Sequence, residues 1–266
     1  MSLERTECLV IKTIDFRETS LIANFYTKDY GKISGLLKGI REEPKKFAST
    51  LEPFSYNEII FYKKKNTTLH LISQCDLRDN FNTIREDLQK ITVASLIMEL
   101  VDAIMPPEDI NQDIFNLTLE SLKAMCAYNY PDKIASIFKI KLLALSGFKP
   151  HFDSCIGCSE RITGQGRFSI IQGGLLCNSC FKKDIKARLI YRGTTATILH
   201  IEKNDLATNL RLGINPQIKK ELDFILQSFL EFHLEKRLKS QKLYTHLIGT
   251  GPSFSQGVKL YGPVPK

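Results

Sequence analysis

The 266-residue chain carries 37 Lys and Arg against 29 Asp and Glu, a formal net charge of +8, with 43% hydrophobic and 25% charged residues. That is the composition of a folded globular protein, which excludes wholesale disorder and a fibrous repeat. No apolar run reaches the roughly 18–20 residues of a membrane span, and residues 1–5 lack the basic-then-apolar layout of a secretory signal, so no membrane partner and a cytoplasmic location are expected.

Residues 1–80 read as short β-rich runs at 8–14, 20–27, 32–38, 55–63 and 67–75. Lys28-Asp29-Tyr30-Gly31 supplies hairpin chemistry between the second and third, because Gly tolerates the positive φ such turns demand. Five short strands in so few residues predict a small barrel, since closure removes exposed edges; a sandwich is the alternative. From Leu88 the period changes: Ile91, Ala94, Ser95, Met98, Val101 and Met105 recur at helical spacing until Pro106-Pro107 ends the run. A second helix is predicted over 111–128, and a third from Pro131 to near Gly147. A long helix over 216–238 follows later, with Ile218, Leu222, Ile225, Phe229 and Phe232 on its buried stripe. The helices form two parts of one helical bundle, 81–148 and 193–248, on either side of a cysteine module at 149–192. Residues 249–266, with four Gly and three Pro, read as a flexible tail.

The module holds the sharpest chemical signal. Cys155-Ile156-Gly157-Cys158, then 18 intervening residues, then Cys177-Asn178-Ser179-Cys180, is the spacing of a four-cysteine zinc site. Each pair turns two thiolates onto one ion, with Gly157 easing the first knuckle. Four thiolates leave no open position for water, so one structural Zn²⁺ is expected rather than a catalytic one. Residues 167–172 and 175–176 flank Gly173-Gly174 as a hairpin of the zinc-ribbon kind. His151 is a neighbour that could compete as a ligand. His200-Ile201-Glu202 resembles half of a zinc deaminase signature, but it follows both cysteine pairs instead of preceding them. Cys8, Cys75 and Cys126 sit in apolar settings and read as core residues. No phosphate-cradling loop, nucleophile elbow or dinucleotide fingerprint is present, so no catalytic residue is assigned and the chain is not read as an enzyme.

The basic excess is uneven: residues 147–192 carry 8 basic and 3 acidic side chains, whereas residues 81–146 carry 6 and 9. On the barrel, Lys32, Lys38, Arg41, Lys45 and Lys46 crowd one strand and the connection after it. Beside Phe25, Tyr26 or Tyr62 they could track phosphates while the rings stack on bases, and a solvated loop beside core aromatics explains the same residues equally well. Lys63–Lys65 reads as a charged turn, and Lys182, Lys183, Lys186 and Arg188 as a possible second contact surface.

Taken together, the chain resembles the bacterial recombination mediator family RecO. The resemblance rests on Cys8-Leu9-Val10-Ile11-Lys12-Thr13, Arg17-Glu18-Thr19-Ser20, Phe25-Tyr26-Thr27, Gly31-Lys32-Ile33-Ser34, Lys38-Gly39-Ile40-Arg41 and Leu51-Glu52-Pro53-Phe54, in that order. Gly147-Phe148-Lys149-Pro150 before the cysteines and Leu238-Lys239-Ser240 near the end extend it over nearly the whole chain. It implies an α+β multidomain protein: a five-stranded OB-fold barrel, then an α-helical bundle with an embedded four-cysteine zinc module. It also implies a DNA-repair mediator that binds single- and double-stranded DNA and anneals complementary strands. Its partners would be RecR, the C-terminal tail of single-strand-binding protein and, indirectly, RecA, in the cytoplasm at the nucleoid. By similarity, the family's basic barrel positions fall on Lys32, Lys38 and Arg41, with Lys45 and Lys46 beyond them. Glu42-Glu43-Pro44 departs from a connection more continuously basic in many relatives. The competing reading is a zinc-containing docking adaptor with no direct DNA role.

Overall fold

The computed structural model describes residues 2–42, 47, 51–65, 67–234, 238, 240, 243 and 244. Lys45, Lys46 and the tail predicted at 249–266 lie outside the described residues.

Five strands, β1 (Ser2–Phe16), β2 (Ser20–Thr27), β3 (Gly31–Leu37), β4 (Tyr56–Lys63) and β5 (Leu69–Asp79), close into a barrel in the order β1-β2-β3-β5-β4. Closure depends on the length of β1. Its first half pairs with β4, from Ser2↔Lys63 to Leu9↔Tyr56, and its second half pairs with β2, from Cys8↔Thr27 to Phe16↔Ser20. A register shift between Val10 and Lys12 bends the strand where it changes partner. The circuit is completed by a parallel pairing of β3 with β5, Ser34↔Leu69 to Leu36↔Leu71. This is the OB-type arrangement, and it replaces the sandwich alternative. Val10, Ala23, Phe25, Ile33, Ile59, Phe61 and Ile72 fill its interior.

The helices follow: α1 (Asn82–Arg85), α2 (Leu88–Ile104), α3 (Gln112–Ala127), α4 (Pro131–Leu145), α5 (Arg192–Lys203), α6 (Leu206–Arg211) and α7 (Pro216–His233). Their ends obey local rules. Asp87 caps α2 by accepting from the N–H groups of Gln89 and Lys90, Asn111 and Asn215 cap α3 and α7, and Pro131 and Pro216 occupy first helical turns. Met105, in an extended conformation before Pro106, ends α2. Helix α4 is central, packing against α2, α3, α5, α6 and α7, and so is buried on all sides from Ile134 to Ile140, Lys139 included.

Between α4 and α5, strands β6 (Gly166–Ser169), β7 (Gly174–Leu176) and β8 (Arg188–Ile190) form a small sheet in the order β7-β6-β8. It is not an independent body: Phe152 stacks on Phe168 at 5.2 Å, Phe168 meets Phe229 of α7 at 6.3 Å, and all three belong to the main helical core.

The barrel and the helices share a tight junction. The turn after β2 brings Gly31, at φ 63°, so close to the α2–α3 connection that a Cβ would lie 2.3 Å from the Asp109 carbonyl oxygen. Gly31→Ala is therefore expected to cost about 2 kcal/mol, from left-handed strain and backbone collision together, measured as a lower urea midpoint. An unchanged midpoint would mean that the connection yields freely.

Candidate metal centre and nucleic-acid surface

The four sulfur atoms of Cys155, Cys158, Cys177 and Cys180 lie within 4.8 Å of one another, brought together by two local turns and one sheet contact. In the first turn the Ser159 N–H reaches the Cys155 carbonyl at 2.7 Å, and in the second the Cys180 N–H reaches the Cys177 carbonyl at 3.1 Å. The Ile156 N–H donates to the Leu175 carbonyl of β7 at 2.8 Å, which joins the first turn to the strand leading into the second. Gly157 is needed because a Cβ there would come within 3.0 Å of the Cys180 Cβ.

The electrostatics call for a cation. Burial opposes ionisation of Cys155, but N–H groups of Cys177, Gly157 and Cys158 outweigh it and bring the thiol down to about 6. Burial and the neighbouring thiols push Cys180 up to about 12. The Cys155 thiolate is thus favoured while Cys158 and Cys180 resist following it, which is the state a bound cation resolves. The Cys158 and Cys177 sulfurs stand 3.8 Å apart, matching the edge of roughly 3.8 Å that a tetrahedron of ~2.3 Å metal–sulfur bonds requires.

The other histidine and cysteine candidates are occupied structurally. His151 Nε2 bonds Ser154 Oγ at 2.7 Å and stays outside the sulfur cluster. The His200 carbonyl accepts from Asn204 at the end of α5, and Glu202 is paired with Lys149 at 2.8 Å, so the deaminase-like triplet is a helix end. Cys8 and Cys75 are buried in the barrel, and Cys126 packs against the helical core.

The barrel residues expected to contact DNA part company. Lys32 donates its Nζ to Asp102 of α2 at 3.2 Å with its side chain 16% exposed, and so ties barrel to bundle. Asp102 also holds Lys12 at 2.9 Å. Phe25 and Tyr26 are corrected as stacking platforms, since both are fully buried. Strand alternation sends Phe25 into the barrel and Tyr26 to the outer face, which the helices cover. There Tyr26 packs on Phe115 and donates its hydroxyl to the Asn111 carbonyl at 3.1 Å. Lys38 is exposed, and Arg41 is paired with Asp15. Tyr62 remains open to solvent, at 39% exposure. Lys63, Lys64 and Lys65, expected as a charged turn, line a cleft.

Residues 1–81 match the family model described as recombination protein O N terminal, and residues 85–242 match recombination protein O C terminal. The chain belongs to the RecO family. Relatives of this RecO chain include the DNA repair protein RecO of Moorella thermoacetica, 28% identical over 93% of this chain and 92% of that one. The same protein of Syntrophus aciditrophicus is 30% identical over 90% and 94%, and that of Bacillus pumilus 29% over 92% and 94%. The two RecO segments meet where β5 gives way to α1. Among the described residues of this RecO chain, no helix is long and apolar enough to cross a membrane.

Proposed function

We propose that this RecO-family chain is a non-enzymatic mediator of DNA repair and homologous recombination. It binds single- and double-stranded DNA, anneals complementary strands and, with RecR, helps load RecA onto DNA coated by single-strand-binding protein. The observation that carries this reading is the pair of consecutive family matches, which spans both the OB-type barrel and the helical part. Annealing needs no reacting group: a positive surface that releases counterions from two strands lowers their repulsion, and base pairing drives the rest. It acts in the cytoplasm, at the nucleoid.

The ion held by the four cysteines is Zn²⁺ in this reading, because an all-thiolate tetrahedron suits a soft, redox-inert d¹⁰ ion. Cys155, Cys158, Cys177 and Cys180 would hold it, and it would supply folding energy, with no coordination position left for a substrate. The stack of Phe152 and Phe168 on α7 supports a bracing role.

Fluorescence anisotropy of a labelled oligonucleotide at about 50 and 200 mM salt tests the binding. Affinity should fall steeply, on the order of 10²-fold or more if at least four phosphates are contacted. Affinity indifferent to salt would contradict the mechanism.

A further inference from the structure

We propose that single-stranded DNA enters the barrel over the β4–β5 turn, in a cleft built by Lys63, Lys64 and Lys65. The inference rests on the DNA-binding reading above and gives it a location.

The cleft has a volume of about 960 Å³, and the three lysines share its wall with Ser2, Thr67 and Thr68. Three lysines and three hydroxyl-bearing residues lining one space suit the oxygens of a phosphodiester backbone. Among the described residues none of the three lysines forms an ion pair, whereas Arg5, Lys12, Lys28, Lys32, Arg41 and Arg78 of the same barrel are all neutralised by carboxylates. The turn is also held in place. The Lys64 N–H faces Nδ1 of the buried His70 at 3.4 Å, and Lys63 Nζ stands 4.8 Å over the Tyr30 ring.

Beside the lysines lies a stacking surface. Leu3 and Tyr62 are directly opposed across β1 and β4 and are 59% and 39% exposed, one residue before the first lysine. An exposed aromatic ring one residue from lysines without ion pairs among the described residues fits a strand whose bases are free to stack, so the occupant is single-stranded rather than duplex DNA. Glu108 is the one carboxylate among the described lining residues, and it sets an opposing charge on the cleft wall.

The test compares full-length wild type with the triple variant Lys63→Gln, Lys64→Gln, Lys65→Gln, with Tyr62→Ala and with Glu108→Gln, using a labelled single-stranded oligonucleotide and its labelled duplex over a salt series. Circular dichroism confirms that each variant is folded. The triple variant should bind at least tenfold more weakly and flatten the log–log salt slope by about 2, from three lost phosphate contacts. Tyr62→Ala should lose about fivefold or more with the slope kept, and Glu108→Gln should bind about twofold more tightly. Wild type that binds while the triple variant matches it in affinity and slope would overturn the cleft and leave the DNA-binding reading intact. A triple variant that loses duplex binding but keeps single-strand binding would overturn the assigned occupant. Wild type that fails to bind either form would overturn the functional reading, and the cleft with it.

Discussion

Cys155→Ser is expected to empty the metal centre and lower the thermal midpoint by roughly 10 °C, the equivalent of about 4 kcal/mol in a protein of this size. Cys155 is the fully buried member of the cluster, and its sulfur accepts N–H groups from Gly157 and Cys177 at 3.4 and 3.3 Å. Serine offers a harder, shorter ligand and cannot complete the tetrahedron. The small sheet then loses its clamp, because Cys155, Leu176 and Ala187 make up its only separate core cluster among the described residues. The damage should spread through Phe152 and Phe168 to Phe229 and so into the helical core. Elemental analysis should find one zinc per wild-type chain and none in the variant, while Cys126→Ser keeps both metal and midpoint. A Cys155→Ser protein that retains its metal and its midpoint would remove the bracing role.

The second large effect concerns Lys139, whose pH dependence has a definite sign. Burial brings its ammonium down from 10.5 to about 8, against the pull of Asp223 and Asp132. Its Nζ lies 4.8 Å over the Tyr244 ring. The Asp223 carboxyl is pushed up by burial, and its Oδ2 has no hydrogen-bond partner among the described residues. Below pH 8 the ammonium is charged in both states and the folded chain bears the cost of burying it. Between pH 8 and 10.5 the folded chain has released the proton and the unfolded chain still holds it. The unfolded state then binds more protons, so stability rises with pH, by about 3 kcal/mol across the window. Cys8 and Tyr244, pushed up by burial, act in the opposite sense above 9 and 10, so the readout is the difference between wild type and Lys139→Met. Methionine keeps the length of the stem without the charge. The variant should be more stable by about 2 kcal/mol at pH 7 in urea unfolding, with the gap closing towards pH 10. A variant less stable at pH 7 would mean that attraction to Asp223 and Asp132 outweighs burial.

What the sequence disclosed follows the reach of each interaction. The cysteine knuckles were legible because each is closed by residues within four positions, and the helix boundaries because Asp87, Asn111, Pro131 and Asn215 act within one turn. Strand β5 runs on to Asp79, past the expected end at 75, because Asp76, Leu77 and Asp79 pair with residues 56–58 of β4. Helix α5 was missed because Thr194, Thr195 and Thr197 lower its helical signal, although Thr194 and Thr197 are buried against the bundle. Helices α1 and α6 are too short to show a period. On the long helix at 216–238, the described helical residues end at His233.

The surroundings of Lys32 and Tyr26 were hidden for a different reason. The partner of Lys32 is seventy residues away, and the carbonyl that accepts from Tyr26 is 85 residues away. Nothing local reveals that helices cover the outer face of β2. The same folding that buries Tyr26 and ties Lys32 to Asp102 leaves Lys63, Lys65 and Tyr62 exposed.

The central claim, that this RecO-family chain promotes pairing of complementary DNA by charge and without chemistry, is tested most directly by an annealing time course. Two complementary fluorescent strands are mixed with zinc-loaded protein, without nucleotide, at about 50 and 200 mM salt. The account predicts annealing at least tenfold faster than the spontaneous rate at the lower salt, with most of that acceleration lost at the higher. A spontaneous rate left unchanged at both salts by folded, metal-loaded protein would contradict it.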